Sequence, residues 1–128
     1  MSYAVAAALQ AAVFAAVSTD PGVQALVGGD VFDAPPGGVL PLTYVVLGEE
    51  DVRAHSNISA AGAVHDFTVS VFSDAAGFAT AKAVAVAVSD ALSDVDLTLA
   101  FVRAKARRGR TPDGRRIDLR FRARVEDI

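Results

Sequence analysis

The chain has no cysteine and no tryptophan, one methionine, two histidines and only 7 % aromatic residues. Without cysteine there is no thiolate nucleophile, no redox pair, no disulfide framework and no thiolate zinc site. Two histidines are too few for a metal cluster unless acids join them. His55 falls in a polar stretch, and His65-Asp66 opens an alternating run in which neighbours face opposite ways. Neither supports acid–base or zinc chemistry. Long hydrophobic runs are also missing. The longest, residues 4–17, is 14 residues broken by Gln10, against about 20 needed to cross a bilayer. No Lys or Arg precedes that run, so neither a membrane span nor a secretory signal is expected.

The phosphate-binding and nucleophile patterns are absent as well. Gly28-Gly29 and Gly37-Gly38 are not followed by Lys-Ser or Lys-Thr, and Ser73, Ser89 and Ser93 lack a nucleophile-elbow setting. Glu49-Glu50-Asp51 lacks the spaced oxygen ligands of a calcium loop. These omissions argue against an enzyme and against any metal or cofactor.

What remains is a small-residue core and an uneven charge. Hydrophobic residues make up 52 % of the 128 positions, with 26 Ala and 19 Val. That excludes disorder and fits one domain over residues 1–128, burying about two thirds of its unfolded surface. The net charge of −3 hides an asymmetry. Residues 103–124 hold nine Arg and one Lys against Asp113 and Asp118, a balance of +8, whereas residues 1–102 balance at −9. An acidic body with one basic arm is an electrical dipole.

Periodicity sets the element order. Val5, Leu9, Val13 and Val17 recur every fourth residue, which predicts a helix over 3–18, stopped by Thr19-Asp20-Pro21-Gly22. A short helical turn over 23–27 and an extended Val31-Phe32 follow. Residues 43–47 read as a strand, and 49–62, polar and aperiodic, as a long mobile loop. Residues 64–73 alternate, with Phe67, Val69 and Val71 on one face. Ser73 or Asp74 then caps a helix to Leu92, whose buried stripe is Phe78, Ala81, Ala85, Val88 and Leu92. A β-hairpin closes the chain. Its return strand, 116–125, sends Ile117, Leu119, Phe121, Ala123 and Val125 to the core and Arg116, Asp118, Arg120, Arg122 and Arg124 away. In its first strand the period slips, so that Leu97, Leu99 and Phe101 share parity with Arg103, Lys105 and Arg107. Either a bulge near Val102 flips the phase or the hairpin projects from the core. Projection is expected, because Ala100, Ala104 and Ala106 give little to bury. The expected fold is thus α+β: a mostly antiparallel sheet packed by two main helices, in the order α-β-β-α-β-β, with a projecting C-terminal hairpin.

The basic hairpin is the one candidate site, with three readings. At its tip, Arg107, Arg108, Arg110, Arg115 and Arg116 would contact phosphate or an acidic docking partner. Along its return strand, Arg120, Arg122 and Arg124 would meet Glu49, Glu50 and Asp51 of a neighbouring subunit, as head-to-tail rings require. Alternatively the charges are a solvated face that guards an edge against aggregation. Base readout is not expected, since no recognition helix or stacking platform accompanies the arginines. A free, non-specific nucleic-acid-binding protein using residues 103–124 therefore stays open.

Three stretches carry a family resemblance: Pro-Leu-Thr-Tyr-Val-Val-Leu-Gly-Glu-Glu at 41–50, His-Asp-Phe-Thr-Val-Ser-Val-Phe-Ser at 65–73, and Arg-Phe-Arg-Ala-Arg-Val-Glu at 120–126. Together with the element order, they resemble the tail-completion, or tail-terminator, proteins of long-tailed phages, above all those of alphaproteobacterial gene transfer agents. The resemblance implies a homo-oligomeric ring, six-membered, that caps the tail tube, stops its polymerisation and joins it to the head-side stopper or connector. Double-stranded DNA would pass through its lumen without sequence recognition. The setting implied is the neck of a phage-like particle, assembled in the bacterial cytoplasm, with no membrane partner.

Overall fold

The computed structural model describes residues 5–34, 37–56, 61–75, 77–94, 99–109 and 114–127. Helix α1 (Ala6–Ser18) is followed by α2 (Pro21–Val27), strands β1 (Val31–Phe32), β2 (Thr43–Ser56) and β3 (Ala61–Ser73), helix α3 (Ala79–Ser93), and strands β4 (Leu99–Arg108) and β5 (Arg115–Asp127). The five strands form one sheet in the order β1-β2-β3-β5-β4, parallel at β1–β2 and antiparallel elsewhere. The α+β expectation holds. The two short pieces flanking residue 28 join it as α2 and β1.

Local chemistry explains the helix ends. Asp20 Oδ2 accepts from Val23 N–H at 3.0 Å, and Pro21 starts α2 with no donor to lose. The residues that stop α1 therefore also start α2. Gly28 ends α2 at φ 60°, where a side chain would be strained. The expected cap of α3 is not used. That helix begins at Ala79 behind Phe78, and the Ser73 hydroxyl accepts instead from Ala75 N–H at 3.2 Å, in a turn after β3.

All three helices bury their apolar sides against one face of the sheet. The core joins Val13 and Val17 of α1, Val23 and Val27 of α2 and Ala81, Val84, Val88 and Leu92 of α3 to Val45, Phe67, Val69, Val71, Ile117, Leu119 and Phe121 of the strands. Phe67 stacks on Phe121, with centroids 5.7 Å apart, and Phe101 meets Phe121 edge-on. The alternations read for residues 64–73 and 116–125 are borne out.

Two expectations are corrected. Residues 49–62 are not one long loop: β2 continues to Ser56 and β3 starts at Ala61, paired from Glu50↔Phe67 to Ser56↔Ala61. The polar composition misled because this half of β2 has an open edge and a solvated surface, so it needs no apolar run. Nor does the hairpin project. β5 pairs with β3 along its whole length, Ser73↔Arg115 to Ala61↔Asp127, and β4 lies flat beside it. The phase slip is a bulge. Phe101 pairs with Phe121 and Arg103 with Arg120, leaving Val102 extra, so Arg103, Lys105 and Arg107 turn to the face away from the helices.

Candidate interaction surface

The second face of the sheet carries no helix, yet its central strand is buried. Asp66 is 3 % exposed and Ser70 also 3 %. The cover is made of arginine side chains laid across β3 from both sides. Asp66 occupies the middle of the row Asp51↔Asp66↔Arg122. Arg122 Nε donates to Asp66 Oδ1 at 2.7 Å, and Arg53 from β2 donates to Oδ2 at 2.8 Å. Arg120 stands 4.0 Å from the same carboxylate. The Arg122 hydrogen bond, and with it Arg53, outweighs the cost of burial and lowers the Asp66 carboxyl from 3.8 to about 2. Reciprocally, the Asp66 hydrogen bond raises Arg122 above its usual value.

A second cluster sits further along. Asp118 Oδ1 accepts from the Ser70 hydroxyl at 2.5 Å and from Arg116 Nε at 2.8 Å, and Arg107 reaches Oδ2 at 3.2 Å. Burial pushes this carboxyl up, but Ser70, Arg116 and Arg107 together bring it below the usual range. Arg116 also lies over Phe72, 4.9 Å from the ring centre, and Phe72 stacks on Tyr44 at 5.0 Å. This aromatic–arginine floor opens into a groove of about 980 Å³, walled by Leu40, Pro41 and Leu42 on one side and Arg107 and Arg108 on the other. Leu42 is 72 % exposed.

The structure therefore divides the expected arginine groups. Arg107 and Arg116 share Asp118, whereas Arg115 turns to the helix face and lies over Phe78 at 5.3 Å. Arg108 is level with Arg115, and Arg110 lies outside the described residues. Of the described tip arginines, two are thus tied to one carboxylate on the open face and Arg115 lies on the other face. Among the return-strand arginines, Arg122 and Arg120 face Asp66 of their own chain, and Arg124 is exposed. Glu49, Glu50 and Asp51 are all exposed on β2, with Asp51 3.9 Å from Arg53. Among the described residues no histidine belongs to a group that could hold a metal. His65 is fully buried with both ring nitrogens unpartnered, and the side chain of His55 lies outside the described residues.

Sequence reasoning missed Asp66 and Asp118 as anchors and the Tyr44–Phe72–Arg116 floor. A signal was present, since Arg122 lies between Phe121 and Ala123, and Asp66 between His65 and Phe67, in strands of clean alternation. Pairing those strands at the right register would have set acid against base. Among the described residues no group of acids and histidines can hold a metal, and no helix is long and apolar enough to cross a membrane.

A face held by internal ion pairs, with strand edges open among the described residues, suits a protein that works by assembling with others. The comparisons agree. The family described as tail completion protein gp17 matches residues 11–126, and the chain belongs to it. A chain in the solved "Virion of native gene transfer agent (GTA) particle" is 59 % identical, aligned over 98 % of this chain and 100 % of that one, with a TM-score of 0.89. The search of curated proteins found no match. The protein is a structural tail-completion protein of the gene-transfer-agent type, as the three quoted stretches suggested.

Proposed function

We propose that this chain, folding as one domain over residues 1–128, is the non-catalytic subunit of a ring at the head-proximal end of a tail tube. The ring is six-membered, stops tube growth and presents the surface to which the head-side connector docks. Duplex DNA passes through it without sequence recognition. The particle is of the gene-transfer-agent type, and the ring joins its neck in the bacterial cytoplasm. The observation that carries this reading is the end-to-end similarity, at 59 % identity, to a chain of a native GTA virion. The charge distribution supports it: β4 carries Arg103, Lys105, Arg107 and Arg108 and no acid, while the exposed start of β2's solvated half is acidic. Heterologous contacts between unlike patches generate rings when the rotation between copies closes.

Deleting the chain from a producing cell tests it. Tails of uncontrolled length and particles with unjoined heads are expected, both restored by supplying the chain. Normal tail length and normal joining without it would refute the reading. A free monomer that binds duplex DNA with a steep salt slope would instead favour a nucleic-acid-binding role.

A further inference from the structure

Among the described residues the sheet has two open edges, and they carry opposite charge. On one side β4 is the outermost strand, exposed from Ala100 to Arg108, with four cations and no acid. On the other, β1 covers β2 only at Val45 and Val46. From Leu47 to Ser56, β2 has no further neighbour among the described residues, and Glu49, Glu50 and Asp51 lie on that stretch, exposed. Arg53, the one cation there, is committed to Asp66.

The registers put these edges at one level. Leu47 is level with Ala104 through Val69 and Leu119, and Glu50 with Phe101 through Phe67 and Phe121. Three antiparallel steps separate β2 from β4, so the two edges run in opposite directions. A second copy, brought alongside by rotation about an axis near the strand direction, would present its β2 antiparallel to the first copy's β4. Its acidic stretch would then stand beside Phe101, Val102 and Arg103.

We propose that the joint between subunits is this edge pair, β4 of one copy continuing into β2 of the next, so that the sheet runs across the boundary. The proposal rests on the ring reading above and deepens it. Charge decides which edges meet. Two β4 edges would set cations against cations, and two β2 edges acids against acids, so the symmetric dimers are opposed and the head-to-tail contact is left. The bulges at Val102 and between Leu47 and Glu50 sit at the same level and blunt pairing with unrelated strands. Phe101 and Val102, 53 % and 39 % exposed, would be covered by the joint.

Two edge-reversed variants test this: E49K/D51K on β2 and R103E/K105E on β4. Each alone should self-associate at least about tenfold more weakly than the unaltered chain. Mixed one to one, they should regain assembly within about threefold, because each reversed edge fits only the other variant. Circular dichroism of each variant alone checks that it is folded. Native mass spectrometry of the free protein and of isolated tails reads the outcome, and the mixture should contain equal numbers of both variants. A ring that both reversals leave intact, or folded variants whose mixture stays apart, would overturn the joint and leave the ring reading standing. An unaltered chain that is monomeric both free and on tails would overturn the ring itself. Carbodiimide coupling gives an independent readout, because the chain has only Lys82 and Lys105. Within one chain, Lys105 is three strand spacings, about 14 Å, from β2, too far for a zero-length link. A Lys105 link to Glu49 or Asp51 should therefore appear only in the oligomer, and an oligomer without it would count against the joint.

Discussion

Replacing Asp66 by Asn removes the charge on which Arg53, Arg120 and Arg122 converge, and its cost can be worked from the geometry. The carboxyl is held at about 2 against an ordinary 3.8, with the Arg122 hydrogen bond the largest cause. Its folded value is depressed, so its contribution is whole above the unfolded value and is lost as pH falls through about 4 toward 2. Taken at face value, the difference is worth about 2 kcal/mol. The guanidinium partners are between 33 % and 49 % exposed, so solvent screens part of it and about 1 to 2 kcal/mol is the better figure. The substitution also leaves three arginines gathered around a neutral amide, which adds to the loss. Asp66→Asn should therefore destabilise by about 2 kcal/mol at pH 7, a shift of about 1 M in the urea midpoint. The gap between the two proteins should shrink through pH 4 and be mostly closed by pH 2, where about half of the folded Asp66 carboxyl is protonated. Urea titrations at pH 7, 4 and 2, at a concentration low enough to keep subunits apart, measure it. A loss under about 0.5 kcal/mol at pH 7, or a gap unchanged at pH 2, would refute the reasoning.

His65 is fully buried with neither ring nitrogen bonded, so His65→Leu should stabilise the fold by about 1 kcal/mol, raising the melting temperature by about 4 °C. A fall in melting temperature would mean that the imidazole has a partner. Asp20→Ala removes the side-chain cap of α2 and should cost about 1 kcal/mol, read by thermal melts, whereas Asp20→Asn should cost a few tenths.

Much of the fold was legible because its strands face two environments at once. Val69, Val71, Leu119 and Phe121 meet helices while Ser70, Asp118 and Arg120 do not, and a period of two records that difference directly. The helix breaks were legible for a similar local reason, since Asp20, Pro21 and Gly28 act on their own backbone. The second half of β2 was not. At its open edge and on its solvated side no burial imposes a pattern, so Glu49, Glu50 and Asp51 look the same in a loop and in a strand. The phase slip at Val102 was visible, but a bulge and a projecting arm share the same local sequence.

The charges divide along the same line. Their sum, their signs and their concentration after residue 102 follow from composition alone, and with the three quoted stretches they led to the tail-completion family. Which charge meets which partner depends on registers between strands distant in the chain. Arg122 reaches Asp66 across 56 positions, and Ser70 reaches Asp118 across 48. Only the pairing of β3 with β5 laid Arg116, Arg120 and Arg122 over β3 as a clamp. That left the β4 cations on one open edge and the β2 acids on the other, an arrangement no local pattern encodes because it is a property of the sheet's strand order.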